Sequence, residues 1–155
     1  MFKISLILVI MVAAGSVELQ NDKISVQIDS SSGAWKNLHD HLSGQSFAFD
    51  SVAPFELQLS SSTGAKTLSP AALSFLGVSG GASTARARWS GLGFNVSLDY
   101  EVRKGWRFTT VRLQLQALSG AAHTTMVNSM TLLNANVSGC DFESAWHQSP
   151  GAFLR

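Results

Sequence analysis

The chain has 155 residues, eleven basic and ten acidic side chains, 45% hydrophobic content and a single cysteine. That length suffices for one domain with its own core, and a formal charge of +1 supplies none of the basic field that nucleic acid or an anionic membrane requires. One cysteine, Cys140, closes no disulfide within the chain, so packing must hold the core together, and a thiol partner outside the chain stays open.

The first sixteen residues, MFKISLILVIMVAAGS, read as a secretory signal peptide. Lys3 is the positive n-region, Ile4 to Val12 the apolar h-region, and Ala13, Ala14, Gly15 and Ser16 the small residues of a cleavage site. The run is shorter than the roughly 20 apolar residues needed to span a bilayer. Cleavage near Ser16 is expected, leaving residues 17–155 as a single secreted β-sandwich domain, extracellular, or periplasmic in a bacterial source. No second long apolar segment follows, so no membrane association is expected after cleavage. Without Lys3, ten basic residues balance ten acidic ones.

From there, alternation with a period of two dominates. Ile24, Val26 and Ile28 mark a strand, and Ser30-Ser31-Ser32-Gly33 a turn. Ser43-Gly44 is the next turn, followed by a strand at Phe55, Leu57 and Leu59 and a turn over Ser60 to Gly64. Pro70 suggests a short helical turn within Ser69 to Leu76, and Ser79-Gly80-Gly81 another turn. Ala85, Ala87 and Trp89 alternate up to Ser90-Gly91-Leu92-Gly93, a hairpin link.

The clearest strand runs from Phe94 to Arg103. Phe94, Val96, Leu98, Tyr100 and Val102 alternate with Asn95, Ser97, Asp99, Glu101 and Arg103, giving one buried and one wet face. Lys104-Gly105 is then a short hairpin link. Trp106 and Phe108 put even positions inward, whereas Val111, Leu113, Leu115 and Ala117 put odd ones inward, which predicts a β-bulge near Thr109–Thr110. Strands thus recur about every ten residues, the spacing of an all-β antiparallel sandwich, here of about nine or ten strands with little helix. The tail, with Trp146, Phe153 and Leu154, closes no recognisable element. A complete domain and the front part of a longer polypeptide both remain open.

Few residues suggest chemistry. His39 and His41 lie two apart around Asp40, while His123 and His147 are distant. A zinc site needs three or four converging ligands, so the pair reads as decoration of a strand end, and no metal or cofactor is expected. Among Asp40, Asp50, Glu56, Asp99, Glu101, Asp141 and Glu143, no spacing singles out an acid and a nucleophile for glycoside chemistry. No serine triad is supported, and the sequence holds no P-loop or dinucleotide fingerprint. Arg86, Arg88, Arg103, Lys104, Arg107 and Arg112 are spaced as a solvated sheet face rather than a polyanion site.

The four tryptophans divide into two groups. Trp89 and Trp106 fall in phase with core positions. Trp35 and Trp146 lie outside the alternation, and are the better candidates for stacking on a sugar. Asn95-Val96-Ser97 and Asn136-Val137-Ser138 are N-glycosylation sequons in a eukaryotic source, with Asn95 on a polar strand face and Asn136 after the last strand.

One segment carries a resemblance. In ELQNDKISVQIDSSSGAWKNLHDHLSGQSF a strand of the form L-x-N-x-x-I-x-V-x-I-D leads through a turn glycine to a second strand ending L-x-D-x-x-[ST]-G. Leu19, Asn21, Ile24, Val26, Ile28, Asp29, Gly33, Leu38, Asp40, Ser43 and Gly44 match it. These residues are similar to the opening of the N-terminal β-supersandwich, of galactose-mutarotase-like type, found in secreted glycoside hydrolases and polysaccharide lyases. The resemblance implies a non-catalytic module that supports catalysis or contacts glycan, with Trp35, Trp146, His39 and Asp40 as candidate carbohydrate contacts. Its partners would be carbohydrate and a C-terminal catalytic domain, because in such proteins the catalytic carboxylates lie in a later domain. No catalytic residue transfers to this chain. Two competing readings are a free-standing glycan-binding or adhesion protein, and a small mutarotase-like enzyme using His39 or His123 with Asp40 for acid–base work.

Overall fold

A computed structural model describes residues 15–61, 64–118 and 125–138. Ten strands are found among them, β1 (Ser16–Gln20), β2 (Ile24–Asp29), β3 (Trp35–Asp40), β4 (Ser46–Ser61), β5 (Gly64–Leu68), β6 (Ser74–Gly81), β7 (Thr84–Gly91), β8 (Phe94–Val102), β9 (Thr109–Ala117) and β10 (Met126–Ser138). Among the described residues the one helical element is a 3-10 turn at Pro70–Ala72, where a proline with fixed φ starts the turn and the chain then re-enters strand. The chain is all-β and antiparallel in its strand pairing.

The strands form two sheets. Sheet I has the order β1-β2-β3-β4-β10, with β5 also on β4, and sheet II the order β6-β7-β8-β9. Ala48 pairs with Asn37 of β3 and with Ser138 of β10, so those two strands lie on opposite edges of β4. The two sheets share one core. Phe55 of sheet I meets Trp89 of sheet II edge-on at 5.0 Å, and Trp35 meets Tyr100 at 6.4 Å. Leu19, Ile24, Val26 and Ile28 from one side join Ala87, Val96, Leu98 and Tyr100 from the other in a single buried cluster. At roughly 1.5–3 kcal/mol for each fully buried large apolar side chain, this cluster is the main source of stability in a domain without a disulfide. A further tie joins the sheets where the Gln20 amide donates to the Ala82 carbonyl at 2.7 Å.

Alternation in sequence becomes alternation of burial. Along β8 the residues are buried and half-buried by turns from Phe94 to Val102. Ala85, Ala87 and Trp89 of β7 are buried, as are Phe55, Leu57 and Leu59 of β4. The β7–β8 link is the expected two-residue hairpin, with Leu92 and Gly93 both at positive φ.

Five expectations need correction. The β8–β9 register is unbroken from Phe94↔Ala117 to Val102↔Thr109, so no bulge lies at Thr109–Thr110. Trp106 and Phe108 instead belong to a loop over residues 103–108, wider than the Lys104-Gly105 link, and they point to no core row. The motif segment from Leu19 to Asp29 is not one strand. Asn21 breaks it, its Oδ1 accepting the amides of Lys23 (2.7 Å) and Ile24 (2.8 Å) in an Asx turn that folds β1 back on β2. The turn expected at Ser79-Gly80-Gly81 falls one step later, at Ala82-Ser83, with both glycines still paired in β6. Asn136 lies within β10 rather than after it.

Candidate functional site

Three connections meet at one end of the sandwich, namely the β1–β2 turn, the β3–β4 turn and the β8–β9 loop. Asn21 is the joint. While its Oδ1 caps its own turn, its Nδ2 donates to the carbonyls of Arg103 (2.5 Å) and Trp106 (2.8 Å). Asp22 Oδ1 accepts the Gly105 amide at 2.7 Å, which holds its carboxyl below the usual carboxylate range. The His41 amide donates to the Lys23 carbonyl at 2.8 Å. Loops from distant parts of the sequence are thus tied backbone to side chain, and the groups they carry sit in one place.

Asp40, at the end of β3, is the most constrained of these groups. Its carboxylate pairs with the Arg107 guanidinium, and Oδ1 accepts the Leu42 amide at 2.9 Å. Its side chain is only 16% exposed. The Arg107 hydrogen bond, followed by that of the Leu42 amide, lowers its pKa to about 2. A carboxyl held ionised in this way is a poor proton donor near neutral pH. His39 lies beside it in sequence, its Nδ1 2.9 Å from the Ser46 hydroxyl, and its ring centre is 5.4 Å from that of His41. The two rings are neighbours, although His41 lies in the turn after β3 and not on a strand face with His39. Among the described residues no three His, Cys, Asp or Glu side chains converge for a metal ion.

The depressed pKa of Asp40 has a pH consequence. Because the folded value lies below the ordinary 3.8, the contribution is present above that value and fades as pH falls towards about 2. The wild type's stability advantage over Asp40→Asn should therefore be largest at pH 5 and shrink as pH falls towards 2. Urea midpoints measured across that interval provide the check, and a constant difference would show that the Arg107 pairing is not the cause.

Aromatic surface completes the site. Phe108 stacks on Trp106 with ring centres 4.4 Å apart and planes 26° from parallel. Arg103 Cζ lies 4.8 Å from the centre of the same indole, and its guanidinium is held by Glu101 at 2.8 Å. Trp106 is half-buried, whereas Phe108 is 53% exposed, so the open aromatic surface belongs mainly to Phe108. The adjacent Arg107–Asp40 pair provides hydrogen-bonding groups.

The candidate contacts fare differently. Trp35, expected to lie free of the alternation, is only 8% exposed and packs edge-on against Phe49 at 5.3 Å. Its anomalous phase has a physical reason. A register shift sets Trp35 opposite Ile28 and Asn37 opposite Gln27, leaving Lys36 as the extra residue and turning the indole into the core. Trp106, expected in the core, is the one at the loop surface. His39 and Asp40 do lie at this end. Trp146, His123, Cys140, Asp141 and Glu143 fall outside the described residues. Asn95 is on the outer face of sheet II, its Oδ1 accepting from the Ser90 hydroxyl at 2.8 Å. Arg86 pairs with Asp99 and Arg103 with Glu101 on that same face.

No described protein family, curated protein or solved structure matches the chain. Among the described residues no helix is long and apolar enough to cross a membrane.

Proposed function

We propose that this chain is the non-catalytic β-sandwich module of a secreted carbohydrate-active enzyme, of glycoside hydrolase or lyase type, and that it contacts glycan at the end of the sandwich formed by the three tied loops. The observation that carries the proposal is the exposed Phe108 ring, backed by Trp106 and Arg103 and flanked by the Arg107–Asp40 pair. A flat aromatic face suits the apolar face of a pyranose, and neighbouring charged groups can hydrogen-bond its hydroxyls. The resemblance of residues 18–47 to the opening of galactose-mutarotase-like modules supports the same reading, as does the leader-like start of the chain. The engagement of Asp40 by Arg107 weighs against the small mutarotase-like enzyme, which needs a carboxyl free to exchange protons.

The test is titration with a panel of neutral and acidic oligosaccharides, followed by tryptophan emission, since Trp106 lies directly under Phe108. Phe108→Ala should weaken binding about tenfold, the equivalent of roughly 1.4 kcal/mol of lost stacking. Its melting temperature should stay close to that of wild type, because an exposed ring contributes little to the core. Binding unchanged in Phe108→Ala, or turnover of a glycoside by this chain alone, would overturn the reading.

A further inference from the structure

Among the described residues the core is closed on one side of the sandwich and open on the other. In sheet II, Val111, Leu113, Leu115 and Ala117 of β9 stand opposite Tyr100, Leu98, Val96 and Phe94, none of them more than 4% exposed. The β9 residues face the same way and yet are only half-buried. The pattern recurs in sheet I. Val127, Met130 and Leu132 of β10 stand opposite Leu59, Leu57 and Phe55, all at 2% exposure or less, but Met130 is 54% and Val127 53% exposed. Between these two rows lies a depression of about 810 Å³, lined by Val111, Leu113, Met130 and Leu132 and rimmed by Arg112. Among the described residues β9 and β10 are also the last strands of their sheets. Inward-facing apolar rows on two unpaired edges are a surface that soluble proteins cover.

The sequence just after β10 has the pattern to cover it. Seventeen residues follow Ser138, starting Gly-Cys-Asp-Phe-Glu-Ser-Ala-Trp-His. Cys140 and Phe142 take even positions and Asp141 and Glu143 odd ones; Ser144 and Ala145 break that alternation before Trp146, and Pro150-Gly151 ends the segment. We propose that residues 140–147 dock along the open side, setting Phe142 and Trp146 against Leu113, Met130 and Leu132. Reach is adequate. Met130 lies eight residues before Ser138, about 26 Å at roughly 3.3 Å per strand residue, and residues 140–147 return the same distance. Charge agrees as well: the lining also holds Arg86, Asp99, Glu101 and Arg103, but Arg86 pairs with Asp99 and Arg103 with Glu101, so Arg112 leaves it one charge basic where the acidic positions 141 and 143 would pass. The occupant is therefore this chain's own continuation, not a second copy or a separate protein.

Two features of the chain make the test direct. Cys140 is the only cysteine, and Met126 and Met130 are the only methionines after the leader. In full-length Cys140→Ser/Ser144→Cys carrying a nitroxide at position 144, the Met130 methyl NMR signal should broaden beyond detection. It should stay sharp when nitroxide-labelled chains are mixed with separate methyl-labelled ones. Phe142→Ser/Trp146→Ser should raise the fluorescence of an apolar dye several-fold and lower the melting temperature. A sharp Met130 signal in the folded, labelled chain overturns the proposal. Broadening in the mixed sample overturns it too, assigning the face to a second copy. Dye binding unchanged by the double substitution rules out Phe142 and Trp146 as the cover.

Discussion

Leu98→Asp should leave no folded protein, while Asp99→Leu, one residue along, should fold normally. Leu98 is at the middle of β8, fully buried, with Ala87 of β7 on one side and Leu113 of β9 on the other. A carboxylate there finds no basic partner, and burying it unpaired costs several kcal/mol or forces its protonation. Whole domains are stable by only about 5–15 kcal/mol, and this one has no disulfide to offset the loss. Asp99 faces the other way. It accepts two hydrogen bonds from Arg86 (2.5 and 3.0 Å) and one from Gln114 (3.1 Å), but on an open sheet face. Such a pair is worth about 1 kcal/mol at most, so its loss is tolerable. Circular dichroism and urea unfolding of the two variants decide the matter. Equal tolerance would mean that the inward face of β8 is misassigned.

This contrast was legible in the sequence, because β8 alternates without interruption and its partners β7 and β9 stay in register with it. The fold class was readable for the same reason. Elsewhere a single residue disturbed the reading. Lys36 is extra in the β2–β3 pairing, and without knowledge of the partner strand Trp35 looks like a residue outside any pattern, though it is buried. Asn21 sits inside an apparently continuous apolar alternation, and only its side-chain bonds to Lys23 and Ile24 show the chain turning there. Trp106 and Phe108 alternate like strand residues, yet the Asn21 amide pulls the Trp106 carbonyl into a loop. The phase break between Phe108 and Val111 was a genuine signal. It marked the start of β9 rather than a bulge. Of the site only His39 and Asp40 were legible, since its other residues are contributed by positions 21, 103 and 106 to 108, and no local spacing relates them to position 40.

Gly33→Ala should destabilise the domain by about 2–5 kcal/mol, far more than Gly44→Ala, although both glycines lie in turns of sheet I at nearly the same positive φ, +73° and +69°. The backbone cost of placing alanine in that region is roughly 1–2 kcal/mol at either site. Ala82 and Leu92 already adopt positive φ at 57° and 53°, so the conformation alone is survivable. The difference lies in space. A Cβ on Gly33 would fall 2.8 Å from both Ala87 Cβ and Trp89 Cζ2, whereas one on Gly44 meets nothing within 4 Å. Neither obstacle is the far end of a flexible side chain. Trp89 is fixed between Phe55 and Phe75, and Ala87 Cβ moves only with the β7 backbone. Overpacking of this kind costs typically 1–3 kcal/mol beyond the strain. The Tyr100 hydroxyl also donates to the Gly33 carbonyl at 2.9 Å, so pushing the turn outward threatens a buried hydrogen bond as well. Tyr100→Phe isolates that part. It leaves the carbonyl without its donor at a cost of about 1–3 kcal/mol, with the turn geometry intact. If Gly33→Ala and Gly44→Ala lose equal stability in urea titrations, the close approach of the turn to Trp89 is not what requires glycine at position 33.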